Sequence, residues 1–392
     1  MEHREEKLKW VEIFQELQKE LRAGVYPQGV PLPSEEMLVR RFGVSRITAV
    51  RAMEELRKQG LVWRKRGSGT FATKVARMES GRIGLIMPSL ALGEIFPQIC
   101  HALMRFAQQD GYSLVLGDVS SSKPDKRAHE ACEVARRFVE EGVGGVIFQP
   151  LAFLRTPERV TKEILTLFHE SDIPVVLIDR DVDAGGAVSP HDFVGIDNLN
   201  AGRALGAHLG EQGAKRVHFL MRPNCASVIR DRYDGVMSAL GERMPKKSII
   251  VAEPNDHAAL KPWFEKKGRP DAVVCESDYV AAQLNNTLLS FGLSVPKDVM
   301  LAGFDDVRCA VSATPSLTTV RQPCEDIARM AYQVLRERLR DSTLPNRRIL
   351  LPAPLVIRDS TLRHRRYWNI PSFCPLKTMR GLVLLGDMSF WK

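Results

Sequence analysis

Between residues 83 and 302 one pattern recurs: a run of three to five apolar residues, a turn, then an amphipathic stretch of several helical turns. The runs at 83–87, 112–116, 145–148 and 174–178 are separated by predicted helices over 96–109, 125–141 and 157–170. After residue 192 the alternation resumes, with strands at 217–220, 248–251, 272–275 and 300–302 and helices near 199–211, 230–240, 257–267 and 279–291. Strands that are apolar at consecutive positions are covered on both faces, and a strand–helix–strand unit joins parallel neighbours. The expected fold class is α/β, with two doubly wound parallel-sheet lobes. In such sheets ligands bind beyond the carboxyl ends of the strands, here in the cleft between lobes.

Ahead of this lies a stretch of different character, residues 32–72. Ser34 is a good N-cap with two glutamates after it, and Met37, Leu38, Arg41 and Phe42 fall at helical spacing. Gly43 breaks that helix and Ser45 can cap a second, in which Ala49, Ala52, Met53 and Leu56 form an apolar stripe. The opposite face carries Arg46, Thr48, Val50, Arg51 and Glu54. Residues 61–63 and 70–72 then predict two short strands around a basic, glycine-tipped loop, Arg64, Lys65, Arg66, Gly67 and Gly69. Two helices alone could be an ordinary amphipathic hairpin; the cationic strand pair behind them points to a small α+β winged helix that binds duplex DNA. On that reading Arg46, Thr48 and Arg51 face base edges or nearby phosphates, and Ser34 and Ser45 hydrogen-bond phosphate. Arg64, Lys65, Arg66 and the Gly67 backbone reach the neighbouring groove. An earlier predicted helix, with Trp10, Ile13, Phe14, Leu17 and Leu21 on one face, packs behind the pair.

The charge distribution agrees. Residues 1–80 hold 16 Lys and Arg against 11 Asp and Glu, and residues 363–392 hold 6 against 1, so both ends are basic within a chain of net charge +9. A basic end with a winged helix suits a phosphate-rich partner. The seven cysteines are scattered without a C-x-x-C pair, which favours reduced thiols in a cytosol over a disulfide framework. The charged start MEHREEKLKW does not fit a signal peptide, and no apolar run nears the roughly 20 residues of a membrane span. A cytoplasmic protein without a membrane partner is expected. No phosphate loop, nucleophile elbow, H-E-x-x-H or Cys/His metal spacing is present. A binding protein with no cofactor and no metal is therefore expected, not an enzyme.

Several polar residues follow the predicted strands: Ser89 after the first, Asp179 and Arg180 after the fourth, and Asp278 after the run ending at Cys275. Arg232 opens a helix of the second lobe. Any one of them alone could be a helix cap or surface ion pair; together, carboxylates and an arginine suit a ligand rich in hydroxyls.

Two resemblances join these readings. L-P-S-E-E, G-V-S-R-x-T, A-M-E-E-L, G-L-V and R-G-S-G-T-F, over residues 8–73, resemble the winged-helix domain of GntR-family bacterial regulators. That family usually has Arg where this chain has Val50, and the nearest cation here is Arg51. From 82 to 362, I-G-L-I-M-P-S-L-A-L, P-V-V-L-I-D-R, V-G-I-D-N, R-D-R-Y-D-G, V-P-K-D-V, G-F-D-D and P-S-L-T-T-V-R-Q-P resemble the effector domain of LacI/GalR-type repressors, which has the periplasmic-binding-protein fold. That resemblance implies effector contacts at Ser89, Asp179, Arg232, Asp278 and Phe304, with Asp197 and Asn198 structural near the lobe crossover. Ser277 stands where the family commonly has Asn, and residues 73–81 hold no counterpart of its hinge helix. The hybrid layout is similar to arabinose-responsive repressors. It implies a homodimeric repressor of a palindromic operator, controlled by a sugar, or alternatively by a purine or phosphosugar; the remaining alternative is a DNA-binding head on an enzyme body. The expected divisions are 1–73 for DNA, 74–81 as linker, 82–362 for effector and dimer, and a basic tail, 363–392.

Overall fold

The computed structural model describes residues 2–22, 25–26, 30–65, 67–73, 81–88, 95–117, 119, 121, 123–154, 156–182, 189–241, 245, 247–265 and 268–362. Ser89, Arg66, the linker 74–80 and the tail 363–392 lie outside them.

Three helices and a strand pair form the N-terminal unit: α1 (Glu2–Arg22), α2 (Glu35–Phe42), α3 (Arg46–Lys58), β1 (Val62–Lys65) and β2 (Gly69–Ala72). Ile13, Leu17 and Leu21 of α1 pack against Leu38 of α2 and against Ala49, Ala52, Met53 and Leu56 of α3. Gly43 ends α2 in the left-handed region at φ 61°, which glycine adopts without strain. The strands pair antiparallel from Val62↔Ala72 to Lys65↔Gly69, and Trp63 lies 5.4 Å from Phe71, centroid to centroid. Met37, expected to help bury α2, is 59% exposed, so Leu38 carries that face.

The body begins with β3 (Arg82–Ile86), α4 (Ile95–Gln109), β4 (Ser113–Gly117), α5 (Pro124–Glu140), β5 (Gly145–Phe148), α6 (Pro157–Glu170), β6 (Val175–Ile178) and β7 (Asp192–Ile196). The chain then enters a second lobe with α7 (Asn198–Glu211), β8 (Val217–Met221), α8 (Val228–Leu240), β9 (Ile249–Val251), α9 (His257–Leu260), β10 (Ala272–Cys275), α10 (Asp278–Ser290), β11 (Met300–Asp305), α11 (Arg308–Ser312) and β12 (Thr318–Arg321). It returns to the first lobe for α12 (Cys324–Arg340) and β13 (Arg348–Leu351), and ends in the second with β14 (Leu355–Val356). The described strands form two six-stranded sheets, β13-β7-β6-β5-β3-β4 and β14-β12-β11-β10-β8-β9. All neighbours are parallel except β12 and β14.

Alternation along the strands divides each core in two. In β11, Met300, Ala302 and Phe304 face one cluster, with α7 and α8, while Leu301 faces the other, with α10. α12 returns to the first lobe because its apolar stripe, Ile327, Ala331, Val334 and Leu335, covers the sheet face that α4 shares. A buried ion pair fixes it there: Arg338 Nε donates to Asp192 Oδ2 at 2.9 Å, and Arg347 N donates to Asp192 Oδ1 at 2.9 Å. The predicted helix over 257–267 is reduced to α9 and a 3-10 turn, Lys261–Trp263, because Pro262 cannot continue an α-helix. No helix among the described residues is long and apolar enough to cross a membrane.

Candidate functional site

The exposed side of the N-terminal unit is built by caps. Ser34 Oγ accepts from Met37 N at 3.3 Å, and Ser45 Oγ accepts from Thr48 N at 3.3 Å. Both caps fix where their helices begin, and Ser34 and Ser45 themselves are exposed. Arg46 follows directly and is exposed. Arg64 and Lys65 are exposed on β1; Arg64 lies 3.5 Å from Glu35, and Gly67 turns the loop at φ 77°.

Two expected contacts change. Thr48 is 6% exposed and its hydroxyl shares a 2.8 Å hydrogen bond with Ser45 Oγ, so it braces the cap and does not face outward. Arg51 has its guanidinium 4.8 Å over the Trp10 ring, which turns it toward α1. Both follow from the 100° step per residue: positions 48 and 51 lie one turn apart on a side that α1 flanks. Arg46→Ala is therefore expected to weaken duplex binding about tenfold or more, the cost of one base-edge or phosphate arginine. Arg51→Ala is expected to cost mainly about 0.5–1 kcal/mol of stability in the N-terminal unit through the lost ring contact. Fluorescence anisotropy at fixed salt, beside thermal unfolding, separates the two; an equal loss of affinity would return Arg51 to the DNA face.

The second site lies where the strands of both lobes end. From the first lobe, Asp179 follows β6 with φ 68°, and three N–H groups converge on its Oδ2: Gln149 Nε2 at 3.0 Å, Arg180 Nη2 at 2.9 Å and Arg180 Nε at 3.1 Å. From the second lobe, Arg232 is almost wholly engaged. Its Nε donates to Asn198 Oδ1 at 2.8 Å and its Nη1 to the Glu276 carbonyl at 2.7 Å, while Nη2 lies 3.8 Å from Asp305 Oδ1. Its plane lies 4.5 Å over the Phe304 ring. Phe304, expected as an effector contact, is instead fully buried in the lobe core and serves as the platform of Arg232.

Asp278 is also displaced from its expected role. It is fully buried at the start of α10, its Oδ2 accepts from Val307 N at 3.2 Å, and its Oδ1 packs against Gly303, where a Cβ would stand 2.4 Å away. The first turn of α10 aims it inward, beneath the 305–307 turn. Burial, then the charge of Asp305, holds its carboxyl well above the usual range.

The carboxylate in the cleft from this lobe is Asp305, at the end of β11. Its side chain is 18% exposed, its backbone is left-handed at φ 111°, and Gln322 Nε2 donates to its Oδ1 at 3.2 Å. Burial raises its pKa to about 6; Arg232 and Gln322 pull the other way, and Asp179 and Glu276 add to the rise. Asp179 and Asp305, one per lobe, are thus close enough to feel each other. Left-handed aspartates at both strand ends, and at Asp306 (φ 56°), cost about 1–3 kcal/mol each and persist only where the surroundings hold them.

The lobes touch at the cleft rim. Phe153 N donates to the Asn224 carbonyl at 3.1 Å, and the Arg222 guanidinium lies 4.5 Å over the Phe153 ring. Arg222 Nε is held by Glu276 Oε1 at 2.6 Å. Next to this rim a cavity of about 630 Å³ opens along α6, lined by Leu165, His169, Arg180 and His191 from the first lobe and Ala226 and Ser227 from the second; Asp179, Arg232 and Asp305 do not line it.

Gln149, Glu276, Asp305 and Gln322 were not singled out from the sequence, yet each ends or follows a strand: β5, β10, β11 and β12. Applying the strand-end rule at every strand would have found all four.

Residues 10–72 match the family model of bacterial regulatory proteins, gntR family, and residues 207–361 match that of the periplasmic binding protein-like domain. The arabinose metabolism transcriptional repressor of Geobacillus stearothermophilus is 24% identical over 370 residues, covering 90% of this chain and 97% of that one. The HTH-type transcriptional repressor PurR of Shigella dysenteriae serotype 1 is 30% identical over 264 residues, 66% of this chain and 73% of that one. Among solved structures, a transcriptional regulator CelR–cellobiose complex superposes with a TM-score of 0.61 at 21% identity, covering 84% of this chain and all of that one.

Proposed function

Because the chain belongs to the bacterial transcriptional repressors that join a GntR-type DNA-binding head to a periplasmic-binding-protein-like body, we propose that it binds a pseudo-palindromic operator as a homodimer and is controlled by a sugar held between its lobes. The chain then divides into a head over 1–73, a linker over 74–81 and an effector and dimerisation unit over 82–362. In the head, Ser34, Ser45, Arg46, Arg64, Lys65 and Gly67 form the DNA-facing set.

The observation that carries the sugar reading is the convergence of Asp179, from one lobe, with Asp305 and Arg232, from the other. A ligand with several hydroxyls can donate to both carboxylates at once and so draw the lobes together. Each cleft guanidinium already faces a carboxylate: Arg180 with Asp179, Arg222 with Glu276, Arg232 with Asp305. That pairing favours a neutral sugar over a phosphosugar. The Phe304 ring is buried beneath Arg232 and one face of Phe153 is covered by Arg222, which favours a sugar over a stacked purine.

Closure of the lobes changes the angle between the two heads of the dimer. Operator affinity then shifts by the difference in effector binding to the two arrangements, typically ~1–3 kcal/mol. The test is thermal unfolding of the protein across sugars, phosphosugars and purines. A ligand at 100 times its Kd stabilises the body by about 2.7 kcal/mol, enough to raise Tm measurably. Arg232→Lys keeps the charge but loses the fork that joins Asn198, Glu276 and Asp305, so the sugar-induced shift is expected to vanish. A shift with a purine and none with any sugar overturns the sugar reading and leaves the regulator.

A further inference from the structure

Ile47 is 81% exposed, the most exposed large apolar side chain among the described residues. It occupies the second position of α3, between exposed Arg46 and buried Thr48, and Val50, one turn on, is half-buried beside it. Nothing in the head's core uses Ile47: the stripe that packs inward is Ala49, Ala52, Met53 and Leu56. A β-branched, solvent-exposed residue in the first turn gains nothing from helix propensity either. The row that α3 presents outward at its N-terminus is therefore one cation followed by two apolar side chains, and Arg64 lines a surface groove with Val50. In the major groove an apolar side chain meets one apolar feature standing among hydrogen-bonding edges, the C5-methyl group of thymine.

We propose that Ile47 reads the 5-methyl group of a pyrimidine at one fixed position in each operator half-site, and that this contact, with Arg46 beside it, sets the sequence preference of the head. The inference rests on the DNA-binding reading above. Arg46 supplies a charge-assisted contact; Ile47 supplies discrimination between bases that differ by a methyl.

The test begins with selection of duplexes from a random library by the full chain and by Ile47→Ala. The wild-type protein is expected to enrich a thymine at one position of each half-site, and the variant to lose that preference at this position alone. Replacing that thymine by deoxyuridine in the selected duplex should weaken wild-type binding about fourfold per methyl, the value of one buried CH₂-sized group. Ile47→Ala should bind thymine and deoxyuridine duplexes equally, with an unchanged melting temperature. Equal wild-type binding to both duplexes overturns the proposal, as does a thymine-to-uracil ratio that survives in Ile47→Ala. A changed sedimentation profile of Ile47→Ala with that ratio intact assigns Ile47 to a protein contact and overturns it too. Enrichment of no duplex by either protein overturns the DNA-binding reading beneath it, an outcome distinct from the others.

Discussion

Gly235→Ala is expected to destabilise the second lobe by about 3 kcal/mol or more, an overpacking cost at the upper end because the obstacle is backbone. A Cβ at Gly235 of α8 would lie 2.1 Å from the Leu199 carbonyl oxygen and 2.8 Å from Arg203 N, both in α7. Gly202 faces it from α7, and a Cβ there would lie 2.1 Å from the Arg232 carbonyl oxygen. Neither helix can yield by turning a side chain; one must move bodily away from the other. The same approach brings Asn198 Oδ1 within 2.8 Å of Arg232 Nε, so parting the helices also releases the cleft arginine. Urea unfolding followed by circular dichroism measures the loss, with Gly213→Ala as control. Gly213 has φ 80° but open space around it, so its alanine carries left-handed strain alone, about 1–2 kcal/mol. If both variants lose the same stability, the close helix contact is not what fixes α8.

Asp305→Asn is expected to do two opposite things. Effector affinity should fall about tenfold to a hundredfold, since hydrogen bonds to a charged group contribute about 1.5–3 kcal/mol. The effector-free protein should nevertheless gain stability near pH 7.5. Asp305 titrates near pH 6 in the fold and near 3.9 unfolded, so the folded state binds its proton more tightly. Stability from this group is thus greatest below the unfolded value and is lost as pH rises from about 4 to about 6. At neutral pH that loss is on the order of 3 kcal/mol, at 1.36 kcal/mol per unit. Asparagine removes it and also relieves Asp278, whose carboxyl the Asp305 charge helps to push up. The check is Tm against pH for both proteins without ligand: the wild type should lose stability relative to the variant between pH 4 and 6. Parallel curves would mean that Asp305 is not desolvated in the cleft.

Much of this protein is legible from periodicity. The apolar stripe Ala49, Ala52, Met53 and Leu56 is the buried face of α3, and the runs at 83–87, 145–148, 217–220 and 272–275 all contain strands. These signals are local: a helix or buried strand announces its inward face by spacing alone. Caps are local too, which is why Ser34 and Ser45 begin α2 and α3.

The direction of individual polar side chains was not local. Asp278 and Asp305 are both acidic residues at the ends of strands in the same lobe, and nothing in their neighbours in sequence tells them apart. The turn of α10 buries Asp278 against Gly303, while the left-handed residue at the end of β11 leaves Asp305 in the cleft. Arg51 is as cationic as Arg46, but only the position of Trp10 on α1 turns it aside. The return of α12 to the first lobe was likewise decided by a sheet face and by Asp192, 146 residues earlier in the chain. The elements and the head-and-body plan follow from short-range spacing and so can be read from the residues in order. Which charges face a partner depends on burial and pairing, and these are set by what distant parts of the chain bring alongside.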